Sequence, residues 1–413
     1  MLDLILISIF GILIGLLSGL MPSMHINTLL PLLFTISLFL KLTPHQLAVL
    51  IVSTAMSEIF FNFIPSIFMG APEEGTALSV LPGHRLLLEG RGYEAIKLTV
   101  IGGIGSLIFS LILITFFSSH FSYFYKLTRP YIHFAIIGVV AFMIFSEKKP
   151  RKIASSTFII LLSGIFGLFV LNSKILPQQQ ILLPVLTGMF GLSTLIISFS
   201  EVSRLPEQKE DFSLNISRKE ILKSMFLGSV AGIIVGFLPA VGISEAAVMV
   251  QYLGGRGDAR NFLVTLSGIN VGNEIFSLIS LYLVSNPRSG ASVAIQQILT
   301  ELGFYDVLLL VGTICFVSGI SALLTLYLGK RIPKLLVKLD YKTLTLSVIS
   351  FICVMVFIWT GIVGLIILSI STAIGLLCAH LEIRRSHCMG VLLIPSICFF
   401  SGLTPLFLSA TGI

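Results

Sequence analysis

Charge is what this sequence has least of: 11% of its 413 residues are Asp, Glu, Lys or Arg, against roughly 25% in an ordinary soluble domain. With 55% apolar residues beside so little charge, most of the chain has no means of facing water, and a bilayer is its solvent. Also missing are the sequence signatures of soluble chemistry. There is no GxxxxGK[ST] phosphate loop, no HExxH, no GxSxG and no kinase-like set. The five cysteines, Cys315, Cys353, Cys378, Cys388 and Cys398, form no CxxC pair and have no metal-ligand spacing, so they read as core thiols and not as disulfides or a metal site. Alternating ten-residue segments, the mark of a membrane β-barrel, are absent too, which leaves helices. The net charge of +7 sits in short loops between apolar segments. It therefore reads as a topology signal, and nucleic acid is not an expected partner.

What is present is a succession of apolar stretches, several of them near the roughly 20 residues a helix needs to cross about 30 Å of hydrocarbon. In the first half they fall at 2–20, 26–40, 46–69, 97–117, 130–146, 153–171 and 181–199. In the second half they fall at 223–238, 243–253, 262–284, 306–329, 343–359, 361–380 and 389–409. No Lys or Arg precedes the first stretch and no small-residue cleavage site follows it, so it is expected to remain in the membrane. The domain reading is a first repeat over 1–199, a polar linker over 200–222 and a second repeat over 223–413.

The repeat is written in the residues. Gly15, Gly19 and Pro22 of GLLSGLMPSMHINT recur as Gly232, Gly236 and Pro239 of GIIVGFLPAVGISE, each displaced by 217 positions; Glu58-Ile59-Phe60 recurs as Glu274-Ile275-Phe276, displaced by 216; and Pro72/Gly75 recurs as Pro287/Gly290, displaced by 215. Any one match is cheap by chance, but three in the same order at nearly constant offset argue for duplication. Loop charge then orients the copies. Lys148, Lys149, Arg151 and Lys152 mark one cytoplasmic loop, Lys330, Arg331, Lys334, Lys338 and Lys342 a second, and Arg384 and Arg385 a third. Counting crossings from these puts the linker inside and both termini outside, so each loop of one half lies opposite its counterpart. The fold expected is an all-α integral membrane protein of the cell membrane: an inverted-topology repeat with broken or hairpin helices meeting near the midplane.

Two constellations carry chemistry. The G-x-x-x-G-x-x-P element lies within an apolar stretch in both halves. Glycines there let helices approach closely, and proline removes a backbone donor, which predicts a chain break inside the membrane. Unpaired backbone at that depth must line a cavity or be buried in protein, and the helix that restarts aims its partly positive amide end at the occupant. Pro22, Ser23, His25, Asn27 and Thr28 at the first break, and Pro239, Gly242, Ser244 and Glu245 at the second, are the candidate substrate-binding residues. An ordinary proline kink is the plain alternative.

The second constellation is carboxylate. Glu58, Glu245 and Glu274 each cost on the order of 2.5 to 3.5 kcal/mol at a membrane helix centre. Asn62, Asn270 and Asn273 lie near Glu58 and Glu274, so these five residues are the candidate ion-coupling set, with Na⁺ at Glu58 and Glu274 or a proton carried there. Structural bonding to nearby Ser and Asn groups is the rival. No cofactor is called for beyond Na⁺ or H⁺. The insertion at 71–95, which mixes Glu73, Glu74, His84, Arg85, Glu89 and Arg91 with apolar residues, is expected to be a cytoplasmic loop with turns around a short amphipathic helix, packed as a solvated loop.

The order of these elements resembles the large membrane subunit of tripartite tricarboxylate transporters, the TctA family. That family opens with glycines leading to a Pro-Gly element, followed by an Asn-x-Pro-Gly-Thr-Pro stretch and an Asp-Gly-Tyr-Pro turn. The counterparts here are GLLSGLMPSMH at 15–25, GAPEEGTALSV at 70–80 and LPGHRLLLEGRGYEA at 81–95. Met24 and His25 stand where the family has small residues, Glu73-Glu74 where it has Gly-Thr, and His84-Arg85 where it has Tyr-Pro, and the chain is shorter than expected for the family.

The resemblance implies a secondary-type transporter for a small organic anion carrying a carboxylate, and not an enzyme. The family's small membrane subunit and extracytoplasmic binding protein are the partners it implies besides the lipid bilayer; the residues themselves carry no signal for either. A lipid-carrier flippase shares the inverted repeat but needs a side opening to the bilayer. A membrane-embedded enzyme using His25 with Glu58 or Glu274 is the other competing class.

Overall fold

A computed structural model describes residues 2–21, 26–70, 74–128, 131–147, 149–173, 176, 178–201, 206–209, 214, 216–237, 242–253, 258–285, 287–299, 302–336 and 341–405. These residues are helical almost throughout: α1 (Leu2–Leu20), α2 (Ile26–Phe39), α3 (Pro44–Phe61), α4 (Phe63–Met69), α5 (Val80–Leu88), α6 (Gly92–Thr128), α7 (Ile132–Phe145), α8 (Pro150–Asn172), α9 (Gln178–Leu186), α10 (Ser193–Glu201), α11 (Arg218–Phe237), α12 (Ile243–Leu253), α13 (Ala259–Val284), α14 (Gly290–Ile298), α15 (Phe304–Leu336), α16 (Tyr341–His380) and α17 (Gly390–Phe400). Among the described residues, nine helices are long and apolar enough to cross a membrane. Two of the nine windows, in Pro44–Met69 and Ala259–Val284, are 94% buried inside the protein whereas the others lie between 33% and 72%. Spans from α3 and α13 are therefore the inner helices around which the rest are arranged, and the partly exposed spans leave Leu and Phe side chains for lipid.

Glycine decides how closely these helices approach. Gly11, Gly15 and Gly19, one turn apart on α1, face Ser53, Ser57 and Phe61 of α3 so closely that a Cβ at Gly15 would lie 2.5 Å from the Thr54 carbonyl oxygen. In the second half Gly228, Gly232 and Gly236 of α11 face Gly268, Gly272 and Phe276 of α13 in the same way. Both sets of contacts advance together along their helices, so α1 runs parallel to α3 and α11 runs parallel to α13. Without a hydrophobic force between helices in lipid, such close backbone approach is what dispersion has to work with.

Helix direction follows from the ends. His45 at the start of α3 bonds Asp306 at the start of α15, and Gly329 late in α15 packs on Ile96 at the start of α6. The start of α6 is in turn tied to the start of α13 by Glu94 and Arg260. Hence α3 and α15 run one way, and α13 and α6 the other. Each half also lends a short element to the other: Ala291 and Ala294 of α14 share a buried cluster with Ile26 of α2 and Leu47, Leu50, Ile51 and Ala55 of α3, and α5 packs against α13 of the second half.

One sequence expectation changes on contact with the structure. The insertion is not a solvated loop: residues Glu74–Ser79 form a 3₁₀ turn leading into α5, and Ala77, Ser79, Val80, Leu86 and Leu87 are buried. The apolar residues of that stretch outweigh its charges, and the linker closes over it. Gln208 accepts a bond from the Gly92 N–H at 3.0 Å and donates to the Leu87 carbonyl, while the Lys209 N–H donates to the Gly90 carbonyl. Gly90 takes φ +75° there, with its Cβ position 2.7 Å from the Glu207 carbonyl oxygen, which no larger residue tolerates without strain. The segments at 343–359 and 361–380 keep the division expected of them: α16 is two helices that meet at a break in helical geometry at Gly361 (φ 63°, ψ −157°). Val348, Ile352 and Val356 before it and Leu368 after it share one apolar cluster with Leu192 and Leu195.

The loops assigned one side by charge also meet. Lys152 donates to the Glu382 carbonyl at 2.7 Å, and Arg384 lies 3.2 Å from Ser146 Oγ and 3.7 Å from Glu147.

Candidate functional site

Both predicted chain breaks fall between helices. α1 ends at Leu20 and α2 starts at Ile26; α11 ends at Phe237 and α12 starts at Ile243. Pro22, Ser23, His25 and Pro239 lie outside the described residues, and for Asn27 and Thr28 the description extends only to their place in the first turn of α2. Gly242 directly precedes α12, and its carbonyl accepts from the Ala246 N–H at 3.1 Å. Ser244 and Glu245, in the first turn of α12, are buried at 0% and 4% exposure. A carboxylate in a helix's first turn is placed where the helix dipole favours negative charge.

The two candidate coupling glutamates occupy matched positions on the inner helices, and each has a hydroxyl partner from another element. Glu58, 2% exposed on α3, receives the Ser18 hydroxyl of α1 at 3.5 Å. Glu274, 7% exposed on α13, receives the Ser289 hydroxyl at 3.1 Å. Ser289 is the N-cap of α14, where it closes a capping box with Ser292. A hydroxyl stabilises a carboxylate without neutralising it, and an unpaired buried charge is costly. Glu274 is therefore suited to carry a proton or to face a bound cation.

The neighbouring amides are differently employed. The Asn62 N–H donates to the Glu58 carbonyl where α3 meets α4; the Asn270 amide donates to the Leu266 carbonyl of its own helix at 2.9 Å; and Asn273 is half-buried. The structure thus brings each glutamate to a hydroxyl, Ser18 or Ser289, that sequence reasoning did not single out. Ser289 was findable from its S-x-x-S cap ahead of a helix. Among the described residues no group of three or more His, Cys, Asp or Glu side chains forms a metal cluster.

At the starts of the two inner helices lie two further polar pairs that bridge the halves. His45 Nε2 meets Asp306 Oδ1 at 2.9 Å with the imidazole 53% exposed. Arg260 Nε meets Glu94 Oε1 at 2.9 Å with the two side chains only 13% and 4% exposed. Both pairs join the second residue of an inner helix to the third residue of a long helix from the other half. Glu94 is also paired with Arg91, and Arg260 with Asp258.

Comparison with known proteins gives a family. The family model described as "Tripartite tricarboxylate transporter TctA family" matches residues 5–390. An uncharacterized protein of Methanocaldococcus jannaschii is 32% identical over 406 residues, covering 95% of this chain and 98% of that protein. No solved structure matches the chain.

Proposed function

This chain belongs to the tripartite tricarboxylate transporter TctA family, and we propose from that premise that it carries a small organic anion bearing a carboxylate across the membrane, coupled to Na⁺ or H⁺. The observation that carries the reading is the matched pair of buried glutamates, Glu58 and Glu274. They stand on inner helices that run in opposite directions, each beside a helix break. A carboxylate buried in an inner membrane helix is costly unless a proton or a cation offsets its charge, and a transporter supplies both a reason and a route for one.

The two halves read as an inverted repeat. The matched glycine stripes of α1 and α11, the opposed directions of α3 and α13, and the exchanged elements α14 and α5 support that arrangement. The anion is held between the amide ends of α2 and α12, with Ser23, His25, Asn27 and Thr28 on one side and Gly242, Ser244 and Glu245 on the other. Glu58 and Glu274, with Asn62, Asn270 and Asn273 nearby, handle the coupling ion. Movement of one half against the other alternates access. The chain sits in the cell membrane with both termini outside and the linker inside. It works as the large membrane component of a tripartite system, with a small membrane subunit and an extracytoplasmic binding protein as its partners.

A thermal-shift screen of the purified protein against di- and tricarboxylates, with and without Na⁺, tests the reading. Stabilisation by at least one carboxylate, enhanced by Na⁺ or by lowered pH, is expected. A flat response to the whole series in every ionic condition removes the anion.

A further inference from the structure

Carboxylate recognition favours a cation beside the amide ends that the restarting helices α2 and α12 offer. The basic loop between α16 and α17 supplies a guanidinium. Residues Arg385–Met389 form a 3₁₀ turn that packs against α8, α16 and α17 and also touches α12, the helix that starts at the second break. Its two arginines diverge. Arg384 turns to Ser146 and Glu147, and the Glu147 carboxylate is taken up by Arg384 and by the buried His387, whose Nε2 is 3.3 Å away.

Arg385 turns the other way. Its Nη1 donates to Ser193 Oγ at 2.9 Å and to Thr194 Oγ1, in the first turn of α10 directly after the π-helical turn Thr187–Leu192, a kind of helix defect that often marks functional sites. Both hydroxyls spend their own hydrogens on helix carbonyls, Ser193 on Met189 at 2.6 Å and Thr194 on Phe190. They orient the guanidinium and neutralise none of its charge. Among the described residues no carboxylate pairs with Arg385, and the thiols beside it, Cys378 and Cys388, are buried. An arginine cannot shed its proton to escape burial, as a lysine or histidine can. A partly buried guanidinium held by neutral acceptors alone, with three of its five donor hydrogens left to offer, is short of an anion.

We propose that Arg385, aimed by Ser193 and Thr194, is the anion contact that takes a carboxylate of the transported ligand where the path reaches the α12 side of the Arg385–Met389 turn. The inference rests on the anion-transporter reading and adds the residue that selects for charge. A planar carboxylate matches the open edge of the guanidinium fork in a bidentate pair. The same chemistry suits a lipid phosphate, so the test separates the two sources.

The full-length protein is placed in phosphatidylcholine nanodiscs, and binding of citrate, succinate and inorganic phosphate is measured for wild type, R385Q, R385K and the Ser193→Ala/Thr194→Ala double variant. The expected result is that a carboxylate bound by wild type is bound at least about tenfold more weakly by R385Q, with R385K between the two. The double variant, which keeps the charge but loses its aim, binds about threefold more weakly or worse and is read in the same way if R385Q does not fold. R385Q with wild-type affinity for a carboxylate overturns the inference and leaves the transporter reading standing. Wild-type protein that binds no carboxylate overturns the transporter reading itself. Stabilisation that appears only in discs containing phosphatidylglycerol, and is lost in R385Q, assigns the site to a lipid headgroup and overturns the ligand proposed.

Discussion

A single methyl group placed at Gly102 tests whether α6 and α13 are held as closely as the fold requires. An added Cβ would lie 2.2 Å from the Val264 carbonyl oxygen and 2.8 Å from that residue's carbonyl carbon and Cα. All three are backbone atoms of α13, so no side chain can swing aside. Relief needs the helices to part by about 1 Å, which loosens the dispersion contacts along the seam, among them Ser106 against Gly228 and Gly268. Overpacking of this kind costs about 1–3 kcal/mol, while Gly→Ala inside a helix returns about 0.8–1.0 kcal/mol of propensity. Gly102→Ala should therefore be neutral to about 2 kcal/mol less stable than wild type. Gly312→Ala on α15 is the control, because no heavy atom lies within 4 Å of its Cβ position, leaving only the propensity gain. Reversible unfolding of both variants in the same mixed micelles should separate them by about 1–3 kcal/mol. Equal stability would refute the claim that backbone contact, and not side-chain filling, sets the α6–α13 distance.

Three further outcomes follow. Single-cysteine labelling in a cysteine-free background should find Lys149, Lys209 and Lys338 facing the cytoplasm and both termini facing out; a cytoplasmic N-terminus together with a cytoplasmic linker would sink the inverted repeat. Arg260→Gln removes one cationic partner of buried Glu94 and should cost up to about 3–5 kcal/mol, whereas His45→Gln at the exposed counterpart pair should cost less than about 1 kcal/mol; similar losses in an unfolding assay would contradict the burial difference. Burial lowers the His84 imidazole from 6.5 to about 4 against an opposing hydrogen bond to the Ile67 backbone, so the unfolded chain binds the proton first, and stability present above pH 6.5 is lost as pH falls toward 4, by about 3 kcal/mol at most. His84→Leu should flatten that part of the pH–stability curve, and an unchanged slope would place the acid sensitivity elsewhere.

Much of this architecture was legible before any coordinates, because lipid leaves few choices. Apolar length gave the spans, and the repeated Gly-x-x-x-Gly spacing marked the faces of α1 and α11 that allow close approach; that α3 and α13 are what they approach, and that Gly11 and Gly228 extend the spacing by one turn at the same 217-residue displacement, the structure adds. The insertion was misjudged because its charges are local while its burial is tertiary. Residues 206–209 of the linker cover it from more than 100 positions away, and no window of sequence registers that. Glu58 and Glu274 announced themselves by their cost in an apolar stretch. Ser18 and Arg385 did not, since a serine on a glycine-lined helix and an arginine in a basic loop look ordinary until the partners they face, or lack, are known.

The central claim is that the matched glutamates couple ion movement to anion transport, and uptake by reconstituted protein tests it most directly. Proteoliposomes given an imposed Na⁺ or H⁺ gradient should take up a carboxylate that stabilises the purified protein, in a saturable manner that collapses when the gradient is removed. Glu58→Gln and Glu274→Gln should each insert and fold yet abolish gradient-driven uptake, because an amide of nearly the same shape neither carries a proton nor lends charge to a cation. Glu245→Gln should do less, its counterpart being the neutral Thr28. Wild-type uptake and ion dependence in both glutamine variants would make the two glutamates structural and contradict the account.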